Sequence, residues 1–201
     1  MPIAKGQPWG EPVDALPPGT RLVASDGEAR SVLEEARAGG RPFPPLGLLG
    51  GDLCHTLGGG GDRLEAGAGT RFTLDVGEAV LDGRPYLFVA HLVARNRLWT
   101  RALVAMNAQW LGDWNLGPRA HPNDGLLDTY DARLPLGQLA AVRARLHHGA
   151  HLPHPAIRER RTAAHRTELA RPLPVRLDGV PVGRATVIEV RALPDALVVV
   201  A

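Results

Sequence analysis

Apolar positions in this chain follow two rhythms, and the change falls near residue 70. Before it, two short apolar runs, Arg21–Ala24 and Leu46–Leu49, read as strands, each followed by a turn and a helical stretch. ARSVLEEARAGG is the first helix. Ser25 or Asp26 is its N-cap, Glu28 stands at capping-box distance from Ser25, and Gly39-Gly40 end it. LCHTLGG, after Gly50-Gly51-Asp52, reads as a helical turn. Strand, turn and helix twice over make an α/β unit, but about 40 residues is short for a complete nucleotide-binding domain. Pro2, Pro8, Pro12, Pro17 and Pro18 mark residues 1–19 as an irregular arm. The glycine run Gly58–Gly61 reads as a flexible linker, because a strand follows it and phosphate-approaching glycine loops usually open a helix.

From Thr70 the pattern is that of strands. RFTLDVGEAVLDGRPYLFVAHLVA holds a hairpin signal at Asp82-Gly83, and LPVRLDGVPVGRATVIEVRAL holds another at Asp178-Gly179. LWTRALVAMNAQWL reads as one long strand, LLDTYDARL as a second, AIRERRTAAHRTEL as an alternating segment, and ALVVVA as a closing buried strand. LGQLAAVRARL is the single helical stretch, with Gly149 beyond its end. Strands with turn signals every roughly 8–12 residues predict a β-sandwich. The expected fold class is therefore α+β, mostly β: a truncated α/β lobe over residues 1–69 and a sandwich over 70–201. No repeat at solenoid period is visible.

Composition narrows the function classes. The chain is 44% hydrophobic and 22% charged, as globular domains are. A net charge of +2 with scattered cations argues against a dedicated nucleic-acid binder. Lys5 is the sole lysine, so arginine would have to meet any phosphate. With Cys54 alone there is no internal disulfide, and a reducing compartment fits. The N-terminus has no signal-peptide pattern, and no run reaches the ~20 apolar residues that span a bilayer. The expected location is cytoplasmic.

Candidate chemistry centres on GPRAHPNDGLLD, Gly117–Asp128. Such a loop is either an ordinary turn or a wrap for a hard cation, with Asp124 and backbone carbonyls as oxygen ligands. His147, His148, His151 and His154 have spacings that can share a metal. Two prolines, and the lack of a nearby carboxylate or cysteine, make HHGAHLPHP a solvated hinge instead. Cys54 reads as a small buried apolar residue. Trp99, Trp110 and Trp114 read as core or rim, with Trp114 near enough to the Asp124 loop to line a lipid cleft. Asp128 and Asp131 read as outward strand positions, and Arg158, Arg160 and Arg161 as a solvated face.

Four segments carry a family resemblance by their order and spacing: MNAQWLG (Met106–Gly112), PRAHPNDGLLD (Pro118–Asp128), PLPVRLDG (Pro172–Gly179) and ALVVV (Ala196–Val200). Together they resemble the sandwich domain of the soluble diacylglycerol kinase-like lipid kinases, which share a fold with NAD kinases. The resemblance implies ATP held by a turn at Ser25, Asp26 and Gly27 and by a second segment at Gly50, Gly51 and Asp52. It implies magnesium on Asp124 with backbone carbonyls at His121 and Leu126, and a lipid or membrane surface as partner. Asp26 and Asp178 are the candidate catalytic carboxylates.

The departures point away from catalysis. Ala24-Ser25-Asp26-Gly27-Glu28 replaces a Gly-Gly-Asp-Gly-Thr turn and puts a negative charge where phosphate would approach. Val180 stands at the position of the base, and valine takes no proton. The expectation is a degenerate member acting as a lipid- or protein-binding module, with a protein partner or a homo-oligomer in view. The alternative is a working ATP- and Mg-dependent lipid kinase.

Overall fold

Ser25 opens the first helix as its pattern predicts. In the computed structural model, which describes residues 9–59, 64 and 68–201, its Oγ accepts the Glu28 N–H at 3.3 Å. The Glu28 carboxylate reaches back to the Ala24 N–H at 2.8 Å. Helix α1 (Asp26–Ala38) buries Ala29, Leu33 and Ala36, one face at helical spacing. Strands β2 (Arg21–Val23) and β3 (Leu46–Leu48) pair in parallel, Arg21 with Leu46 and Val23 with Leu48. Helix α2 (Asp52–Thr56) follows directly. Pro2 and Pro8 of the arm, and Gly60 and Gly61 of the glycine run, lie outside the described residues. Pro12 falls in β1 (Glu11–Val13), which pairs with β4 (Gly69–Leu81).

Both Asp-Gly hairpins form, each with its two turn residues at positive φ. One joins β4 to β5 (Arg84–Phe88); the other joins β10 (Ala164–Leu177) to β11 (Val180–Val200). Between them lie β6 (His91–Arg95), β7 (Arg101–Met106), β8 (Leu127–Arg133), α3 (Leu139–Leu146) and β9 (Ile157–Thr162). Eleven strands among the described residues form one sheet, ordered β1-β4-β11-β10-β6-β7-β8-β9. β5 pairs with β4, and β3 attaches the β2–β3 pair to β11. The sheet curls so that Leu92, Leu103, Leu127, Leu177 and Ile188 share one core. The outcome is a mostly β, α+β fold.

Three strand readings need correction. The long strand expected over LWTRALVAMNAQWL stops at Met106, because Asn107 turns inward and donates to the Asp75 and Val89 carbonyls at 2.9 and 2.8 Å. AIRERRTAAHRTEL is two strands, β9 and β10, rather than one segment. ALVVVA is the end of the 21-residue β11, which bulges between Leu193 and Leu197 with Asp195 at φ 52°.

Hydrogen bonding crosses residue 70. Val199 and Val200 of β11 pair with Phe72 and Arg71 on one side and with Leu46 and Gly47 on the other. Leu33, Leu46 and Leu48 pack in one cluster with Phe72, Leu74, Leu197 and Val199. A shared core and a shared strand should melt together. Leu46→Ala, at a fully buried position, is expected to cost about 2–5 kcal/mol. It should move circular dichroism and tryptophan fluorescence transitions by the same amount; two separated transitions would contradict the shared core.

Candidate functional site

The two short helices bring the expected nucleotide-turn residues together. The Asp26 carboxylate is buried and accepts the Asp52 N–H at 2.6 Å and the Leu53 N–H at 3.1 Å, the first amides of α2. Gly51, at φ 100°, passes so close that a Cβ would sit 2.6 Å from Asp26 Oδ1, and one on Gly50 would sit 2.9 Å from the Ala24 carbonyl. The second glycine segment is therefore fitted to the first turn. Ser25 is spent on the α1 cap, and a Cβ on Gly27 would lie 2.8 Å from Val180 Cγ2. Gly27, Glu28, Ser31, Glu35 and Val180 line a groove of about 570 Å³. Arg21 lines it too, so the groove sets one cation against the carboxylates of Glu28 and Glu35. A triphosphate would meet two carboxylates there, and the α2 amides behind them already hold Asp26.

Beneath this turn lies a buried acid–histidine group. Asp52 accepts the Gly112 N–H at 2.9 Å and lies 2.8 Å from His91 Nε2. Asp26, Asp52 and His91 each offer a ligand atom within 4.8 Å of the others, but a cation would have to displace the Asp52–His91 contact. Asp178 accepts three backbone N–H groups, from Val89, Ala90 and His91, at 2.9–3.0 Å. Burial pushes its pKa up to about 6. Burial also raises Asp26, against the pull of the α2 amides. For His91 burial opposes the charge, yet the Asp52 hydrogen bond and the fields of Asp178 and Asp26 outweigh it and raise the pKa.

The Asp124 loop is tied to the same junction through Asp75, whose carbonyl shares the Asn107 amide with that of Val89. Asp124 Oδ1 accepts the Leu126 N–H at 2.9 Å, and Oδ2 pairs with Arg161. His121 Nδ1 accepts the Asn123 N–H at 3.3 Å, and its ring lies 4.4 Å from the Trp9 ring. Below the loop Asp75 accepts the Gly125 N–H at 2.6 Å and the Asp195 N–H at 3.0 Å. Asp128 is buried rather than outward, because it shares a strand face with Tyr130 and Ala132 that is itself covered, and burial there lifts its pKa to about 6. Arg161 departs from the solvated-face reading: strand alternation turns it from Arg158 and Arg160 towards Asp124.

A third feature is an apolar chamber of about 430 Å³ between α3 and the outer face of β7–β8. Val104, Leu116, Ala132, Val142 and Leu146 line it, and the Trp99–Trp114 pair, with ring centres 5.5 Å apart, stands beside it. Tyr130 and His151 are 3% exposed. The Tyr130 hydroxyl and both His151 nitrogens make no hydrogen bond of normal geometry, and burial lowers the His151 pKa against a smaller opposing pull from the Leu116 backbone. His151 thus leaves the expected hinge, while His147 and His148 remain exposed.

The C-terminal 131 residues decide the family: the profile described as the YegS C-terminal NAD kinase beta sandwich-like domain matches residues 71–201. The chain belongs to that family. The YegS-type sandwich bears out the diacylglycerol kinase-like resemblance. A candidate diacylglycerol kinase from Bacillus anthracis strain Sterne superposes with a TM-score of 0.66 at 13% identity, over 90% of this chain and 78% of that one. A second structure of such a protein gives 0.64 at 15%, over 90% and 78%. A diacylglycerol kinase from the same strain gives 0.62 at 16%, over 90% and 76%. At these identities the likeness is one of fold. No curated protein matches the chain.

Sequence reasoning missed His91 and Asp75, and read His151 as part of a solvated hinge. Signals existed for the first two: FVAHLVA and FTLDV each put one polar residue inside an apolar strand. The buried YegS-type junction predicts a pH dependence of stability. Asp178 is raised when folded, so the native state holds its proton longer and stability falls as pH climbs from about 4 to about 6. His91, also raised, adds stability below its unfolded pKa that is lost as pH rises through the folded one. Urea titrations should show this decline, and Asp178→Asn should flatten its acidic limb. A stability that rises between pH 4 and 6 would contradict the assignment.

Proposed function

We propose that this chain is a lipid-binding member of the diacylglycerol kinase-like proteins that does not itself move phosphate from ATP. The observation that carries the reading is Asp26, whose carboxylate takes the α2 amides that would otherwise be free for a phosphate. Phosphoryl transfer rests on positioning and charge neutralisation, and the groove beside Asp26 sets Glu28 and Glu35 against a single arginine, Arg21. Asp178, the other candidate acid, has both oxygens committed to backbone amides.

The chamber under α3 supports the lipid half of the reading. Its volume lies within the roughly 300–1,000 Å³ of small-molecule sites. Each methylene moved into it from water contributes about 0.8 kcal/mol. Leu98, exposed and lining it, and the neighbouring Arg97 and Arg143 suit an amphiphile whose polar end stays in water. No helix among the described residues is long and apolar enough to cross a membrane. The Asp26–Asp52–His91 group favours the alternative, an active ATP- and Mg-dependent kinase, because these atoms converge as metal ligands do.

Radiolabelled ATP and mixed-lipid vesicles separate the two. Purified protein is expected to yield no phosphorylated lipid while binding a fluorescent single-chain amphiphile. Ala132→Trp, which fills the chamber, should weaken that binding at least tenfold, with the fold checked by circular dichroism because overpacking costs about 1–3 kcal/mol. A lipid phosphate product lost in Asp52→Asn would overturn the proposal.

A further inference from the structure

The carboxylates around the Asp124 loop need a positive partner, and a side chain supplies it. Arg161 reaches from β9 to Asp124 Oδ2 and stands 3.7 Å from Asp128 Oδ1 through its Nε. The other Asp124 oxygen is taken by the Leu126 N–H. Asp128 is 1% exposed at its side chain, and its Oδ2 has no hydrogen-bond partner. A buried, half-satisfied carboxylate of this kind is costly unless a cation lies close by. We propose that Arg161 is the resident cation of this loop: a guanidinium stands where the lipid-kinase resemblance calls for magnesium, and the chain has made the loop independent of divalent metal.

The geometry favours the exchange. A fork of N–H donors can address two carboxylates from one side, as a metal ion does, and it cannot dissociate. Arg161 is half-exposed, but the acids it holds are not, so its loss would leave charge behind in a poorly solvated place. With the guanidinium gone, Asp124 Oδ2 and the two Asp128 oxygens become hard oxygen donors of the sort that Mg²⁺ or Mn²⁺ binds. Removal of the arginine should therefore create a metal site.

Thermal melts and Mn²⁺ equilibrium dialysis test this on the full chain. The native protein is expected to melt at the same temperature in millimolar MgCl₂, MnCl₂ or EDTA, and to retain no Mn²⁺ at the loop. Arg161→Ala is expected to melt several degrees lower, to recover at least half of that loss in MnCl₂ and to retain one Mn²⁺ per chain, abolished by adding Asp124→Asn. If Arg161→Ala does not fold, Arg161→Gln, which keeps the stem and a donor, takes its place in the same comparison. Retention of Mn²⁺ by the native protein that Asp124→Asn removes would overturn the proposal. So would arginine variants that melt like the native protein and ignore metal.

Discussion

One interaction recurs at the turns and corners of this sheet: an aspartate carboxylate accepts backbone amides that the strand ladder leaves unpaired. Asp26 takes the first two amides of α2, Asp178 takes the corner at Val89–His91, Asp75 takes Gly125 and Asp195, and Asp82 takes Thr186 and Val187. A buried amide without a partner costs free energy comparable to a lost hydrogen bond, so each clamp permits a turn or corner that the strand ladder cannot serve. Charge-assisted bonds of this type are about twice as strong as neutral ones. The curled sheet and the junction beside α2 both depend on them.

That use of carboxylates governs the functional reading. An acid whose oxygens are already engaged by two or three backbone amides is poorly placed to take a proton from a substrate hydroxyl. Asp26 and Asp178 are the acids that the resemblance nominates, and both are employed in this way. The groove beside them sets Glu28 and Glu35 against Arg21, while the space under α3 is apolar and lined by two buried side chains with open hydrogen-bonding capacity. On the proposed reading, phosphate chemistry is given up at the groove while the space under α3 is kept for an apolar ligand.

Local signals made much of this legible. Ser25 and Glu28 marked a helix start, Asp82-Gly83 and Asp178-Gly179 marked hairpins, and both held because turn and cap chemistry is decided within a few residues. The sandwich followed from strand spacing. What stayed hidden was set across the chain. Nothing near Asp128 says that its strand is turned inward, and nothing near Arg161 says that Asp124 waits beside it. His151 sits in a proline-rich stretch that looks solvated until α3 folds over it. Asp26 was legible as a functional acid only through resemblance, and its partners Asp52 and Leu53 lie in the next helix.

The double pairing of Val199 and Val200 also sets an order of events in time. Leu46 and its neighbours leave the ribosome long before the strand that will sit beside them exists, so β2, β3 and the α1 face must wait with their apolar sides uncovered. Contacts so distant along the chain make for slow closure. Exposed strand edges during that interval invite association between nascent chains. A cell making this protein quickly would therefore depend on chaperone cover until its last strand arrives.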